Sequence, residues 1–208
     1  MKDRGFTLIE LMVVLAIMGG IVALSMPYIT NRNSQTKAVL RELTVLSREL
    51  HTKAKLHGAI YRLVIDMQED LGGKRNTQTY WVEKSNGKSV LKPDEEEVAF
   101  KEAQEASADK TGEKKKDPRG FEMDKTIIKK PRELPTGMTF EKVELSRLKE
   151  AVTHGKAFIH YMPQGLVDEA AIHIKGERTA AWTIAIHPLT GKAEVIPKPL
   201  QLKEIKSQ

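Results

Sequence analysis

The chain has 208 residues, 40% of them hydrophobic and 30% charged, which suits one ordinary domain plus an appendage better than two full domains. Its formal charge of +6 comes from 34 Lys and Arg against 28 Asp and Glu; the two signs interleave, so the surface permits contact with nucleic acid or anionic lipid without demanding it. Cysteine is absent, which excludes a disulfide framework, a thiolate nucleophile and a Cys-type zinc site.

A short basic leader, Met1-Lys2-Asp3-Arg4-Gly5, directly precedes an apolar run over residues 6–29 whose single charge is Glu10. As a helix this run extends about 36 Å against a hydrocarbon core of about 30 Å, long enough to span a membrane. An ordinary secretory signal has a shorter apolar core followed by a small-residue cleavage site, so that reading is the weaker one. Lys2 and Arg4 flank one end and Arg32, Lys37 and Arg41 the other, so charge alone leaves the topology open. Glu10 needs a partner, because a carboxylate inside a spanning helix costs roughly 2.5 to 3.5 kcal/mol on insertion scales. Cleavage after Gly5 would create an α-amino group on Phe6, with a reference pKa of about 7.7 to 8.0, able to pair with a neighbouring subunit's Glu10. The plainer alternative is a lone glutamate at the headgroup level of a simple anchor. Gly19 and Gly20 each cost up to about 1 kcal/mol relative to Ala in a helix, which favours local melting on assembly.

The segment Arg4-Gly5-Phe6-Thr7-Leu8-Ile9-Glu10-Leu11 resembles the signal box of type IV pilins and type II secretion pseudopilins. The resemblance implies cleavage between Gly5 and Phe6 by a prepilin peptidase, N-methylation of Phe6, and a docking role for Glu10 in the filament. It also places Pro27 where many such proteins carry a proline that bends the long first helix.

From residue 28 to 57 the pattern is amphipathic. Val39, Leu43, Leu46 and Leu50 recur at spacings of four and three, with Lys37, Arg41, Arg48 and Lys53 among them. The helix is expected to continue out of the membrane, lay its apolar stripe on a sheet, and stop at Gly58. A coiled coil is the poorer alternative, with fewer than about three clean heptads.

After Gly58 the period changes to two: Tyr61, Leu63, Ile65 and Met67 alternate with Arg62 and Asp66, and residues 77–83 are rich in β-branched and aromatic types. Leu71-Gly72-Gly73-Lys74 between them predicts a β-hairpin with a longer loop. Residues 92–130 are dominated by Lys, Glu and Asp, so they are expected to form an exposed, flexible insertion with at most a short helix near 99–106. Further strands are predicted at 138–145, 156–161, 169–175, 179–186 and 192–196, and Pro163-Gln164-Gly165, Lys175-Gly176-Glu177 and Pro188-Leu189-Thr190-Gly191 separate the last four.

Leu134-Pro135-Thr136-Gly137-Met138, Tyr161-Met162-Pro163-Gln164-Gly165, Thr183-Ile184-Ala185-Ile186 and Thr190-Gly191-Lys192-Ala193 together resemble the pattern of the H-type minor pseudopilins, the GspH/FimT-like family. The charged insertion departs from that compact pattern.

Signs of catalysis or metal binding are weak. His160, His173 and His187 fall in or beside predicted strands, but a metal site would need partners from other strands, and isolated strand histidines are more often ordinary surface or core residues. Gly87-Lys88-Ser89 looks like the end of a phosphate-binding loop, yet Val82 stands where its leading glycine is required. Asp66, Glu69 and Asp70 lack the spacing of a calcium loop. No cofactor and no enzymatic activity are expected.

The expected fold is α+β and pilin-like, a long N-terminal helix packed on a predominantly antiparallel sheet. Its parts are a cleaved leader (1–5), a membrane-spanning half-helix (6–29), a periplasmic half-helix (30–57) and a periplasmic β-rich domain (58–208) carrying the insertion. The resemblance implies a minor pseudopilin near the tip of a type II secretion pseudopilus, single-pass in the inner membrane. Its partners would be the major and other minor pseudopilins, the inner-membrane assembly platform and the prepilin peptidase. The rival is a minor pilin of a type IV pilus, including the kind that binds DNA during uptake, which would need Lys192, Lys198, Lys203 and Lys206 to converge with few acidic neighbours. From another class, a single-span receptor or anchored enzyme would use the helix only as a tether.

Overall fold

The computed structural model describes residues 7–67, 78–85, 120–176 and 180–205, the side chains of 25–34 excepted. The chain divides into two units, Met1–Ala38 and Val39–Gln208, and helix α1 (Leu8–His57) supplies residues to both.

In the first unit every described side chain of α1 up to Leu24 is exposed, and the large ones are apolar except Glu10. Leu8, Met12, Leu15 and Val22 lie on one side of the helix and Ile9, Val13, Ile17 and Leu24 on others, so the apolar surface runs all round. Among the described residues no helix is long and apolar enough to cross a membrane. The side chains described in this run stop at Leu24, so the expected span 6–29 lies only partly within them.

In the second unit α1 buries Val39, Leu40, Leu43, Leu46, Leu50 and Ala54 at the spacing read from the sequence, while Arg41, Val45 and Arg48 face solvent. The helix stops where expected. Gly58 takes a φ of 60°, and the Ala59 N–H reaches back to the Ala54 carbonyl at 3.3 Å, the closing bond of a Schellman turn that glycine permits without a Cβ clash.

Among the described residues nine strands follow: β1 (Ile60–Asp66), β2 (Thr79–Ser85), β3 (Phe121–Met123), β4 (Arg132–Glu133), β5 (Thr139–Leu145), β6 (Lys156–Tyr161), β7 (Ala170–Lys175), β8 (Ala181–Ile186) and β9 (Ala193–Ile196), then a one-turn helix α2 (Leu202–Ile205). The hairpin of β1 and β2 is antiparallel with Leu63 opposite Val82, and its connecting loop lies outside the described residues. The expectation of one sheet is corrected to two. Sheet A runs β3-β2-β1-β6, with β4 also on β2, and sheet B runs β5-β7-β8-β9, all antiparallel. The physical reason is a crossover: β6 pairs with β1, placing Ile159 opposite Leu63, instead of with its chain neighbours β5 and β7. The inner faces of both sheets and the buried stripe of α1 share one core, which includes Leu50, Tyr61, Ile65, Tyr161, Ile172 and Ile184.

Two further expectations change. The end of the predicted insertion is built into the domain: Phe121 and Ile128 are buried, and β3 extends sheet A through Ser85 opposite Phe121. Scattered apolar residues in a charged window suffice when an existing strand edge supplies the backbone partners. The rest of the insertion, including the helix expected near 99–106, lies outside the described residues. Arg62, expected on a solvent-facing strand position, is 3% exposed. Its guanidinium lies 3.8 Å from the ring centre of Phe121 and 4.4 Å from that of Phe158, and Nε donates to Glu83 at 2.6 Å, so its charge is both paired and stacked.

Candidate functional site

The residues singled out at the N-terminus are placed unequally. Gly5 and Phe6 lie outside the described residues. Thr7 immediately precedes α1 and acts as its N-cap: the Glu10 N–H meets the Thr7 carbonyl at 3.1 Å and, more loosely, the Thr7 hydroxyl at 3.4 Å. Thr7-Leu8-Ile9-Glu10 has the spacing of a capping box, a signal present in the sequence beside the charge argument. Glu10 itself is exposed in the first helical turn, where a carboxylate also complements the positive end of the helix dipole. Around it Leu8, Ile9 and Leu11 are 77, 71 and 57% exposed. Such a surface is stable only against lipid or other apolar chains. Pro27 lies within α1, where its missing N–H removes one i to i−4 bond.

In the second unit a polar clasp that sequence periodicity did not reveal holds α1 to the strand-connecting turns. The Ser47 hydroxyl donates to the Gly191 carbonyl at 2.8 Å and accepts from the Tyr161 hydroxyl at 2.9 Å, and all three groups are buried. One helical turn later His51 Nε2 lies 3.0 Å from the Gly165 carbonyl. The turns 163–165 and 188–191 were legible as turns, but not as parts that grip the helix. Their glycines explain the closeness: a Cβ on Gly191, whose φ is 61°, would collide with His51.

His160 Nδ1 lies 2.9 Å from Asp168 Oδ2, which also accepts the His160 backbone N–H at 2.9 Å and Arg147 Nε at 3.1 Å. Burial raises the Asp168 carboxyl, but hydrogen bonds and charge from His160, with Arg147, outweigh it and leave the group below the ordinary aspartate value. Among the described residues, buried His160 Nε2 meets no hydrogen-bond partner, so this Asp–His pair faces no nucleophile there. His173 Nε2 stands 3.2 Å from Glu144 Oε1, off the line a hydrogen bond needs. His187 follows β8, and its Nδ1 accepts the Leu189 N–H at 3.3 Å. Among the described residues no three His, Asp or Glu side chains are grouped to hold a metal ion.

The basic tail shows interleaved charge. Lys192, Lys198 and Lys203 are exposed, Glu194 and Glu204 stand on the same segments, and Lys206 lies outside the described residues.

Residues 1–25 match the family described as the prokaryotic N-terminal methylation motif. No curated protein and no solved structure matches the chain. The match spans the leader, Gly5, Phe6, Glu10 and the start of α1, and it supports a type IV pilin-like prepilin, which implies processing by a prepilin peptidase and assembly with other pilin-like subunits.

Proposed function

We propose that this chain is a minor pseudopilin of a type II secretion system: a structural subunit, not an enzyme, placed near the tip of a periplasmic pseudopilus. In this reading the peptidase cuts between Gly5 and Phe6, Phe6 is N-methylated, and Glu10 compensates the new amino group of a neighbour. The chain is single-pass in the inner membrane with its C-terminal domain in the periplasm. The observation that carries the reading is the agreement of the methylation-motif match over residues 1–25 with an α1 that opens on an all-round apolar surface interrupted by Glu10. The α+β architecture, one helix on antiparallel sheets, suits a pilin-like fold. The H-type assignment rests on the sequences at 134–138, 161–165, 183–186 and 190–193 and is the finer part of the proposal.

Intact-mass measurement of membrane-extracted protein tests the processing step. Loss of Met1 to Gly5 with one added methyl is expected, and recovery of the uncut chain from cells with an active prepilin peptidase overturns it. The chain has no cysteine, so a single introduced one is a clean crosslinking reporter. Adducts with the major pseudopilin of a secretion system support the finer reading; adducts with a major pilin move the chain to the type IV pilus.

A further inference from the structure

The outer face of sheet B, away from the core, carries His173 and Thr183 opposite one another on β7 and β8. Their strand neighbours Ile172, Ile174 and Ile184 point into the core. The C-terminal segment 197–202 crosses this outer face and is fastened at two points. Thr183 Oγ1 donates to the Lys198 carbonyl at 2.9 Å and accepts the Leu200 N–H at 3.0 Å, and Glu144 Oε2 accepts the Leu202 N–H at 2.8 Å. Leu202 is buried at the end of the segment. Pro197 and Pro199 restrict the backbone of the crossing, which lowers the entropy cost of laying it down. A half-open cleft of about 290 Å³ adjoins it, lined by Glu141, Lys142, His173, Pro199, Leu200 and Glu204 among others.

We infer that this segment is a pH-sensitive strap, released from sheet B when His173 takes up a proton. The geometry supplies the coupling. Glu144 is shared: one oxygen holds the strap through Leu202, and the other accepts Lys142 Nζ at 2.7 Å and lies beside His173 Nε2. Thr183 is shared as well, because His173 Nδ1 sits 3.5 Å from the hydroxyl that accepts the Leu200 N–H. An imidazolium would stand buried beneath the strap and directly across from the Lys142 ammonium on β5, and lifting the strap is what hydrates it. His173 is 3% exposed, and the charged groups facing it are Lys142, Glu144 and Glu141 from β5 and Glu204 from α2; Thr183 on β8 is uncharged.

The direction follows from linkage. Burial, then the Lys142 ammonium, hold His173 below the ordinary histidine value, against the opposing pull of Glu144 and Glu141. With the strap lifted the imidazole is hydrated and returns toward about 6.5, so the open form binds the proton better. The closed form is therefore fully favoured above pH 6.5 and loses ground as the pH falls through that value. Loss of Glu144 by protonation belongs to a separate window, below 4.5, because that carboxyl is itself held low.

Amide hydrogen exchange on the full chain in detergent micelles reads the strap directly. The Leu200 and Leu202 N–H groups should lose protection between pH 7.5 and pH 5, after correction for intrinsic exchange, while those of β7 do not. His173→Gln should keep the strap protected to pH 5. Undiminished protection in the wild type at pH 5, or equal loss in His173→Gln, overturns the inference. If His173→Gln does not fold, Lys142→Gln carries the test. Removing the ammonium raises the proton affinity of the closed form, so the response should shrink; an unchanged response counts against the strap. None of these readouts depends on how the N-terminus is used.

Discussion

Ser47 and Gly191 stand 144 positions apart in the chain, yet the Ser47 hydroxyl donates to the Gly191 carbonyl at 2.8 Å inside the core. The same oxygen accepts the Tyr161 hydroxyl, so one small polar side chain on α1 satisfies a strand of sheet A and a turn of sheet B.

Ser47→Ala should therefore destabilise the domain by about 1 to 3 kcal/mol, because the buried Tyr161 hydroxyl loses its acceptor. Urea denaturation measures this, and Tyr161→Phe in the same background separates the two bonds. If Ser47→Ala is neutral while Tyr161→Phe is costly, the clasp has been misassigned.

Gly191→Ala should be worse than an ordinary glycine replacement. It meets the left-handed φ, worth roughly 1 to 2 kcal/mol, and also drives a methyl into His51. The expected readout is a lowered melting temperature, partly restored by His51→Ala, which clears the space.

Asp168→Asn should cost about 3 kcal/mol, since a side chain 9% exposed loses its charge while Arg147 keeps its own. Chemical denaturation at pH 7 tests the size. An effect under about 0.5 kcal/mol would mean that solvent already screens the cluster.

Stability should also fall in acid, in two stages. The native Asp168 and Glu144 carboxyls lie below their ordinary values, so on acidification the unfolded chain takes up these protons first. Their contribution is present above about pH 4.5 and disappears as the pH drops through the native values. His173, held neutral by burial, adds an earlier, shallower decline beginning near pH 6.5. Denaturation midpoints from pH 8 to 3 should show both, with the steep lower stage reduced in Asp168→Asn.

Glu10 allows a sharper substitution than alanine alone. Glutamine keeps the capping-box spacing with Thr7 but removes the charge. If Glu10 pairs with a neighbour's α-amino group, Glu10→Gln and Glu10→Ala should both give processed, membrane-resident protein that fails to crosslink to filament partners. Crosslinking at wild-type levels in both variants would reduce the residue to a tether's bystander, and failure in alanine alone would assign it to the helix cap.

Much of the fold is legible in the sequence because burial writes period into it. Val39, Leu43, Leu46 and Leu50 show the helix stripe, and 156–161 is a strand with those bounds in both readings. Pairing order is different: nothing near Ile159 says that it lies opposite Leu63, because register across such a distance is fixed by the packed whole. β3 and β4 are too short to carry a period. Ser47 reads as an ordinary polar position and shows its role only once Tyr161 and Gly191 arrive. At the N-terminus the chemistry was legible from the box itself, whereas Gly5 and Phe6 lie outside the described residues.

Arg147 and Asp168 have an effect beyond their own charges, because they occupy the outward backbone groups of β6. The Arg147 guanidinium covers the Phe158 carbonyl, the Asp168 carboxylate takes the His160 N–H, and the Asp168 N–H takes the His160 carbonyl. A strand whose outer rim is already spoken for cannot template a further strand from a neighbouring molecule. Copies of this domain can therefore crowd together along this side without zipping into cross-molecular sheets, and their contacts must be made by side chains.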